Sequence, residues 1–123
     1  DTYNASPEST LAALNLLADL IGRKIAVLGD MLELGQYEQQ GHELIGVRAA
    51  QVAEILVTVG PLGHMIAEAA RKAGLDSGKI SEFETAEETV PLLRTLLGNE
   101  DVVLIKGSHG VHMERIVAAL EDF

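Results

Sequence analysis

Four short runs of apolar residues divide the chain and predict β-strands. They lie at residues 24–28, 55–59, 79–83 and 102–106. Three of these runs are continuous rather than alternating, which is typical of strands buried on both faces of a parallel sheet. The run at 79–83 alternates and is weaker, so we expect an edge strand there.

Between the runs, apolar residues recur at helical spacing and predict five helices. Ser6, Pro7 and Glu8 have the features of an N-cap, a first-turn proline and a favourable acid. Glycines at 22, 74 and 98 lie where helices commonly end. The apolar positions are Leu11, Leu14, Leu17, Ala18 and Ile21; Leu44, Val47 and Val52; Ile66, Ala69 and Ala70; Val90, Leu93 and Leu97; and Ile116, Val117 and Leu120.

Helices that alternate with strands through short loops predict an α/β fold. We expect a single doubly wound domain in which a mostly parallel, Rossmann-like sheet lies between two helical layers, a three-layer αβα arrangement. A chain of 123 residues can bury one such core. The composition agrees, since 47% hydrophobic and 23% charged residues are typical of a globular protein.

In a doubly wound sheet, ligands bind beyond the carboxyl ends of the strands, near the point where strand order reverses. The loops that follow the predicted strands are therefore the places to look for a site. They are residues 29–35 (GDMLELG), 60–64 (GPLGH) and 107–110 (GSHG). Residues 1–9 would form a fourth such loop if a strand precedes Asp1.

Charge and composition narrow the ligand class. A net charge of −10 and 3% aromatic residues disfavour nucleic acid, because a phosphate backbone is repelled and bases have little to stack on. No apolar run is long enough to span a membrane, and without cysteine there is no disulfide or thiolate metal site. A cytoplasmic protein that binds small molecules is the expectation.

The first polar cluster is formed by Asp1, Tyr3 and Asn4, just before the capped helix. A helix N-terminus favours anions, so these side chains could contact the ribose, base or metal–phosphate part of a nucleotide. Alternatively, Asn4 and Ser6 do no more than cap the helix. Capping alone leaves Asp1 and Tyr3 unexplained, and the two interpretations stay open.

The second cluster is the run Lys106, Gly107, Ser108, His109. A strand that ends in lysine, followed by glycine, a hydroxyl and a helix starting near Val111, can bind an anion through backbone N–H groups. The spacing does not match a phosphate-binding P-loop, so a carboxylate is the better guest. The alternative is a tight turn in which Ser108 caps the next helix.

Two acids in the GDMLELG loop, Asp30 and Glu33, could orient a metal-bound phosphate or an incoming amine. The simpler interpretation, which we favour, is that both carboxylates face water. Downstream, His42 is expected to be a partly exposed helix residue, since a single histidine makes a poor metal site. The methionines at 31, 65 and 113 are expected to fill the core.

Taken in order, three segments resemble one known family. They are DTYNASPES (1–9), VLGDMLELG (27–35) with His42 and Gly46 downstream, and VLIKGSHGVHME (103–114). The family is the Mur ligases of peptidoglycan synthesis, and the similarity is to the carboxyl-terminal domain of the members that add D-alanyl-D-alanine to UDP-N-acetylmuramoyl-tripeptide. The resemblance spans nearly the whole chain. It departs at His109 and Gly110, where relatives often carry arginine and a small residue.

The resemblance implies that residues 1–123 are one domain of a three-domain bacterial enzyme. Its partners would be the central ATP-binding and amino-terminal UDP-substrate domains of the same chain. The whole enzyme would use ATP and Mg²⁺ to activate the tripeptide carboxylate, which the amine of D-alanyl-D-alanine then attacks. This domain alone would be inactive and would bind neither cofactor firmly.

The resemblance also assigns roles to the candidate residues. It implies no catalytic residue and no metal ligand in this part of the enzyme. Asp1, Tyr3 and Asn4 would face the nucleotide, and Asp30 and Glu33 would lie on a loop facing the cleft without an assigned role. The dipeptide would contact Lys106, Gly107, Ser108 and His109.

Other function classes remain in view. The main alternative is a stand-alone α/β small-molecule-binding or receiver-like module, for which Asp30 after the first strand is slight support. A hydrolase or transferase would need a nucleophile–base pair, and none is visible in the sequence.

Overall fold

A computed structural model describes residues 5–121 of the chain. In that range the strands agree with the predicted ones to within one residue at each end. Helices and strands alternate in the order α1 (Pro7–Asp19), β1 (Arg23–Gly29), α2 (Glu38–Val52), β2 (Ile55–Val59), α3 (Gly63–Lys72), β3 (Ile80–Phe83), α4 (Ala86–Leu96), β4 (Asp101–Lys106) and α5 (Glu114–Glu121).

The four strands form one parallel sheet in the order β3-β2-β1-β4. Val27 of β1 is paired with Val57 of β2 on one side and with Ile105 of β4 on the other. The chain moves outward from β1 to β2 and β3 and then returns to the far side of β1. Strand order therefore reverses between β1 and β4, which is the switch point at which doubly wound sheets bind ligands. The predicted edge position of β3 is confirmed.

The sheet separates two apolar cores. On one face, Ala26, Leu28 and Leu56 pack with residues of α1, α2 and α3. On the other face, Val27 and Val57 pack with residues of α4 and α5. Because successive strand residues point to opposite faces, both cores draw on the same continuous apolar runs. The three-layer αβα prediction is confirmed.

The helix α2 buries a different face from the one that its large apolar residues suggest. Leu44 and Val47 are 49% and 41% exposed. The buried positions are instead His42, Ile45, Gly46 and Ala49, together with Gly41. A β-carbon on Gly46 would lie 2.3 Å from the carbonyl oxygen of Ile66, so the glycine allows α3 to approach the α2 backbone closely. The helix is confirmed, but close packing of small residues decides its orientation.

The predicted helix boundaries hold in most places. Ser6 is the N-cap of α1, and its Oγ accepts the N–H of Ser9 at 3.1 Å. At the end of α3, Gly74 has a φ of +110° and donates to the Arg71 carbonyl, while Leu75 donates to that of Ala70. This is the Schellman arrangement, which a left-handed glycine accommodates without strain. The last helix differs, because α5 begins at Glu114 after a 3-10 turn (His109–Val111).

Within residues 5–121, no helix combines the length and the apolar character that crossing a membrane requires.

Candidate functional site

The switch point brings the loops after β1 and β4 together at Ser108. The N–H of Ser108 donates to the carbonyl of Asp30 at 2.9 Å, and the Ser108 Oγ accepts the N–H of Leu32 at 2.8 Å. The residue is 2% exposed. Ser108 stands at the N-cap position of the 3-10 turn that follows, but its side chain makes no capping bond there, which does not support the alternative in which the Ser108 hydroxyl caps the next helix. Ser108 instead joins two of the predicted site loops.

The opening segment reaches the same place. The Ser108 hydroxyl points to the carbonyl of Ala5 at 3.5 Å, and Ala5 is 2% exposed. Segments of all three sequence motifs therefore meet around one buried serine. Asp1, Tyr3 and Asn4 lie outside the residues that the structure describes, so their proposed contacts with a nucleotide remain predictions.

The run from Lys106 to His109 divides between buried and exposed positions. Lys106 ends β4 and is 7% exposed, and strand alternation places it on the same face as Leu104. A β-carbon on Gly107 would lie 2.7 Å from Cγ of Met113, so this glycine lets Met113 fold over the strand end. His109 is exposed. Of this run, His109 is thus the residue that faces outward.

The carboxylate of Asp30 does not face water, contrary to the simpler expectation. Asp30 is 2% exposed, and its Oδ1 accepts the N–H of Leu62 at 2.9 Å. Burial raises the pKa of this carboxyl, and the hydrogen bonds from Leu62 and Gly63 partly oppose that effect. Gly60 has a φ of +104°, and a β-carbon there would lie 2.5 Å from Oδ1. Asp30 therefore ties the GPLGH loop to the GDMLELG loop.

The other acid of the GDMLELG loop, Glu33, is exposed as expected. Its backbone is left-handed, with a φ of 64°, and that of His112 has a φ of 57°. These are the two non-glycine residues with positive φ in the described part of the chain, and they lie in the two loops at the switch point. Left-handed backbone costs free energy for such residues and concentrates at functional sites.

His42 is completely buried, so the prediction of a partly exposed residue is wrong. Its Nε2 accepts the N–H of Met31 at 3.0 Å, and its Nδ1 lies 2.6 Å from the Glu38 carbonyl oxygen. The sequence holds a signal for this burial. His42 precedes Ile45, Gly46 and Ala49 by three, four and seven residues, so all four lie on one face of the helix, and this face is buried.

Beside these loops, on the side of α4 and α5, lies an open pocket of about 300 Å³. An ion pair between Arg115 and Glu87, 2.7 Å long, lies in its wall. A larger groove of about 540 Å³ runs between α2 and α3 and includes no residue of the loops after β1 and β4. The smaller pocket is lined by residues that include Pro61, Glu84, Thr85, Gly110, His112 and Arg115.

Among residues 5–121, no group of three or more histidine, aspartate or glutamate side chains is arranged to hold a metal ion.

Comparison with known proteins gives the family. The family model described as "Mur ligase, glutamate ligase domain" matches residues 1–109. The chain belongs to this family. As a Mur ligase domain, it carries the three motifs in the order that the resemblance predicted, and the structure places parts of all three at Ser108.

The relatives of this Mur ligase domain share one description. It is 37% identical over 123 residues to the UDP-N-acetylmuramoyl-tripeptide–D-alanyl-D-alanine ligase of Bacillus subtilis, covering 98% of the chain and 27% of the relative. The corresponding ligase of Escherichia coli is 34% identical, with 99% of the chain and 26% of the relative covered. The chain thus spans about a quarter of the length of these relatives and matches their carboxyl-terminal part.

Solved structures agree with the sequence relatives. MurF from Acinetobacter baumannii superposes with a TM-score of 0.83 at 36% identity, covering 100% of this chain and 27% of that one. The MurF ligase from Thermotoga maritima, solved in complex with ADP, gives a TM-score of 0.80 at 32% identity, with 99% and 27% covered. The α/β fold of this Mur ligase domain is therefore the fold of the corresponding part of both structures.

Proposed function

We propose that this Mur ligase domain is the carboxyl-terminal lid of an ATP-dependent ligase that adds D-alanyl-D-alanine to UDP-N-acetylmuramoyl-tripeptide. The observation that carries the proposal is the meeting of the three family motifs at the switch point, around Ser108. The shared description of the relatives supports the same reaction.

The dipeptide is proposed to bind at Lys106, Gly107, Ser108 and His109. Lys106 brings a positive charge to the strand end, which suits the carboxylate of D-alanyl-D-alanine. The Ser108 N–H donates to the Asp30 carbonyl, and the Ser108 hydroxyl accepts the Leu32 N–H. Ser108 is therefore proposed to set the conformation of this loop. His109 is exposed at the loop surface, where it can meet the dipeptide.

The nucleotide is proposed to bind at Asp1, Tyr3 and Asn4. The position of Ala5 next to Ser108 supports this, because Ala5 directly follows Asn4 in the sequence and lies beside the proposed dipeptide loop. The relative from Thermotoga maritima was solved with ADP, which supports ATP as the co-substrate. ATP supplies the phosphoryl group that activates the tripeptide carboxylate.

The remaining parts of the reaction are proposed to lie elsewhere in a parent chain. Its central domain would hold the phosphates and Mg²⁺, and its amino-terminal domain would hold the UDP-linked substrate. This domain would close over them and exclude water from the activated carboxylate, which would otherwise hydrolyse. On its own it would be inactive, and the whole enzyme would work in the cytoplasm.

We propose different roles for Asp30 and Glu33. The Asp30 carboxylate accepts a hydrogen bond from the backbone of the GPLGH loop, so its proposed role is to hold that loop in place rather than to contact a ligand. Glu33 is exposed on the same loop and can face the cleft directly.

Titration of the 123-residue chain with ADP and with D-alanyl-D-alanine, followed by amide chemical shifts, tests the proposal. We expect weak binding, with shifts at residues 3–6 for ADP and 106–109 for the dipeptide. L-alanyl-L-alanine has the same charge and serves as the control, and it should shift these amides less. Equal shifts for both dipeptides, or shifts confined to the groove between α2 and α3, would contradict the assignment.

A pair of alanine variants tests the site in the full-length ligase. His109→Ala should raise the KM for D-alanyl-D-alanine several-fold, roughly the effect of one lost polar contact. Ser77→Ala is the control, since Ser77 is exposed just before β3, away from the loops that follow the strands. Tight binding of a small molecule by the isolated chain, with no role for further domains, would instead favour a stand-alone module.

A further inference from the structure

The histidine of α2 is a polar group that the proposed site does not use. His42 is 0% exposed, and both of its ring nitrogens have partners in the backbone. Burial of a polar side chain is costly unless its hydrogen bonds are made. The two hydrogen-bond partners of His42 therefore indicate which parts of the backbone the ring holds in place.

The polarity of the two partners fixes the tautomer of the ring. The group facing Nε2 is the N–H of Met31, which can only donate, so Nε2 must carry a lone pair. The group facing Nδ1 is the carbonyl of Glu38, which can only accept, so Nδ1 must carry the proton. The ring is neutral and protonated at Nδ1.

Met31 lies between the two residues whose hydrogen bonds to Ser108 connect the β1 and β4 loops. The residue before it, Asp30, accepts the N–H of Ser108 through its carbonyl, and the residue after it, Leu32, donates to the Ser108 Oγ. Met31 is itself 1% exposed. The His42 ring thus holds the middle of the three-residue segment against which Ser108 is positioned.

We propose that His42 is a positioning residue for the dipeptide loop: through Met31 N–H, it fixes the segment on which Ser108 and its neighbours from Lys106 to His109 rest. The dipeptide part of this inference rests on the proposed function. The hydrogen bond to Met31 and the ring tautomer can be tested without it.

The ring nitrogens can be observed directly in the folded chain. In a ¹⁵N-labelled sample, two-bond correlations from the ring protons of His42 should show a protonated Nδ1 and an unprotonated Nε2 at neutral pH. Resonances of the opposite tautomer, or of a doubly protonated ring, would overturn the assignment. This measurement needs no substrate, so its outcome is separate from that of the proposed function.

Two amide variants separate the two bonds of the ring. In His42→Gln, the carboxamide oxygen reaches the position of Nε2 and can accept the Met31 N–H. In His42→Asn, the shorter carboxamide reaches only the position of Nδ1 and can donate to Glu38. Both variants lose the packing of the ring, and Asn leaves the larger void because it is one methylene shorter, so the stability of both variants is measured as well.

Amide hydrogen exchange in the 123-residue chain gives the first readout. We expect the Met31 amide to exchange about tenfold faster in His42→Asn than in His42→Gln, as expected for one lost hydrogen bond. Amides in the centre of β2 report global unfolding and correct for any difference in stability. Equal exchange of Met31 in the two variants, after that correction, would overturn the proposal.

Kinetics of the full-length ligase give the second readout. His42→Asn should raise the KM for D-alanyl-D-alanine about tenfold while the KM for ATP stays within about twofold, and His42→Gln should lie close to the wild type. An equal rise in both variants, or an unchanged dipeptide KM in His42→Asn, would refute the positioning role. If the wild-type ligase does not use the dipeptide, the proposed function fails while the tautomer result stands.

Discussion

The Ser108 hydroxyl accepts the Leu32 N–H at 2.8 Å, across 76 residues of sequence. This bond joins the loops on either side of the point where strand order reverses. In doubly wound sheets, such loops usually diverge and leave a crevice for a ligand. Here a buried serine connects the two loops by a hydrogen bond, so their positions relative to each other are set by Ser108.

Removing this hydroxyl should destabilise the domain. Ser108→Ala leaves the Leu32 N–H without its acceptor, and we expect the free energy of unfolding to fall by about 1–2 kcal/mol in urea titrations. Ser77→Ala, at an exposed position before β3, is the control and should change it by less than about 0.5 kcal/mol. A Ser108 variant as stable as the control would show that water replaces the serine without cost.

Two glycines of α2 should respond differently to alanine. In Gly46→Ala, the new β-carbon would lie 2.3 Å from the Ile66 carbonyl oxygen, which cannot move without shifting α3. In Gly41→Ala, it would meet two side-chain atoms, Leu34 Cδ1 and Pro7 Cγ, each at 2.9 Å. The leucine can rotate away and the proline ring can change its pucker, so neither backbone has to move. Both variants gain the same helix propensity. Thermal unfolding should show Gly46→Ala less stable than Gly41→Ala by about 2 kcal/mol, and equal stability would contradict the close packing.

The buried Asp30 should give stability an unusual dependence on pH. Its folded-state pKa is raised above 3.8 by burial, so the folded protein binds this proton more tightly than the unfolded chain does. The contribution of Asp30 is therefore largest at low pH and falls as pH rises through the raised value. Asp30→Asn removes the titration. The free energy of unfolding of Asp30→Asn minus that of the wild type should increase as pH rises above 3.8 and through the raised folded-state pKa. A constant difference would show that burial does not raise the pKa.

Asp101 should show the opposite dependence. Its carboxylate accepts two bonds from the Arg23 guanidinium, each 2.8 Å long, and the hydrogen bond from Arg23 is the main cause of its lowered pKa. The ionised form is then stabilising above 3.8, and that contribution is lost as pH falls through the lower folded value. Asp101→Asn should be less stable than the wild type near pH 7, with a deficit that shrinks in acid. Urea titrations at several pH values measure it, and a deficit that grows in acid would contradict the pairing.

Much of the fold could be predicted because its signals are local. The continuous apolar runs set the strand positions, since a strand buried on both faces needs apolar residues at every position. Ser6 and Gly74 mark helix ends through bonds to their own neighbours. The alternation of helices and strands was enough to predict the parallel sheet, and the motifs were enough to predict the family.

The site depended on contacts that the sequence does not display. Asp30, His42 and Ser108 each bind a backbone N–H, at separations of 32, 11 and 76 residues along the chain. Every residue except proline carries such a group, so sequence cannot say which one a buried side chain will meet. The sequence also did not show that α2 buries the face carrying Gly46 rather than the face carrying Leu44. The close approach of the α2 and α3 backbones at Gly46 decides this orientation. The sequence by itself determined the strands, most helix ends and the family motifs. Only the tertiary structure decided which polar side chains of those motifs form hydrogen bonds between the loops, because their backbone partners are distant in sequence.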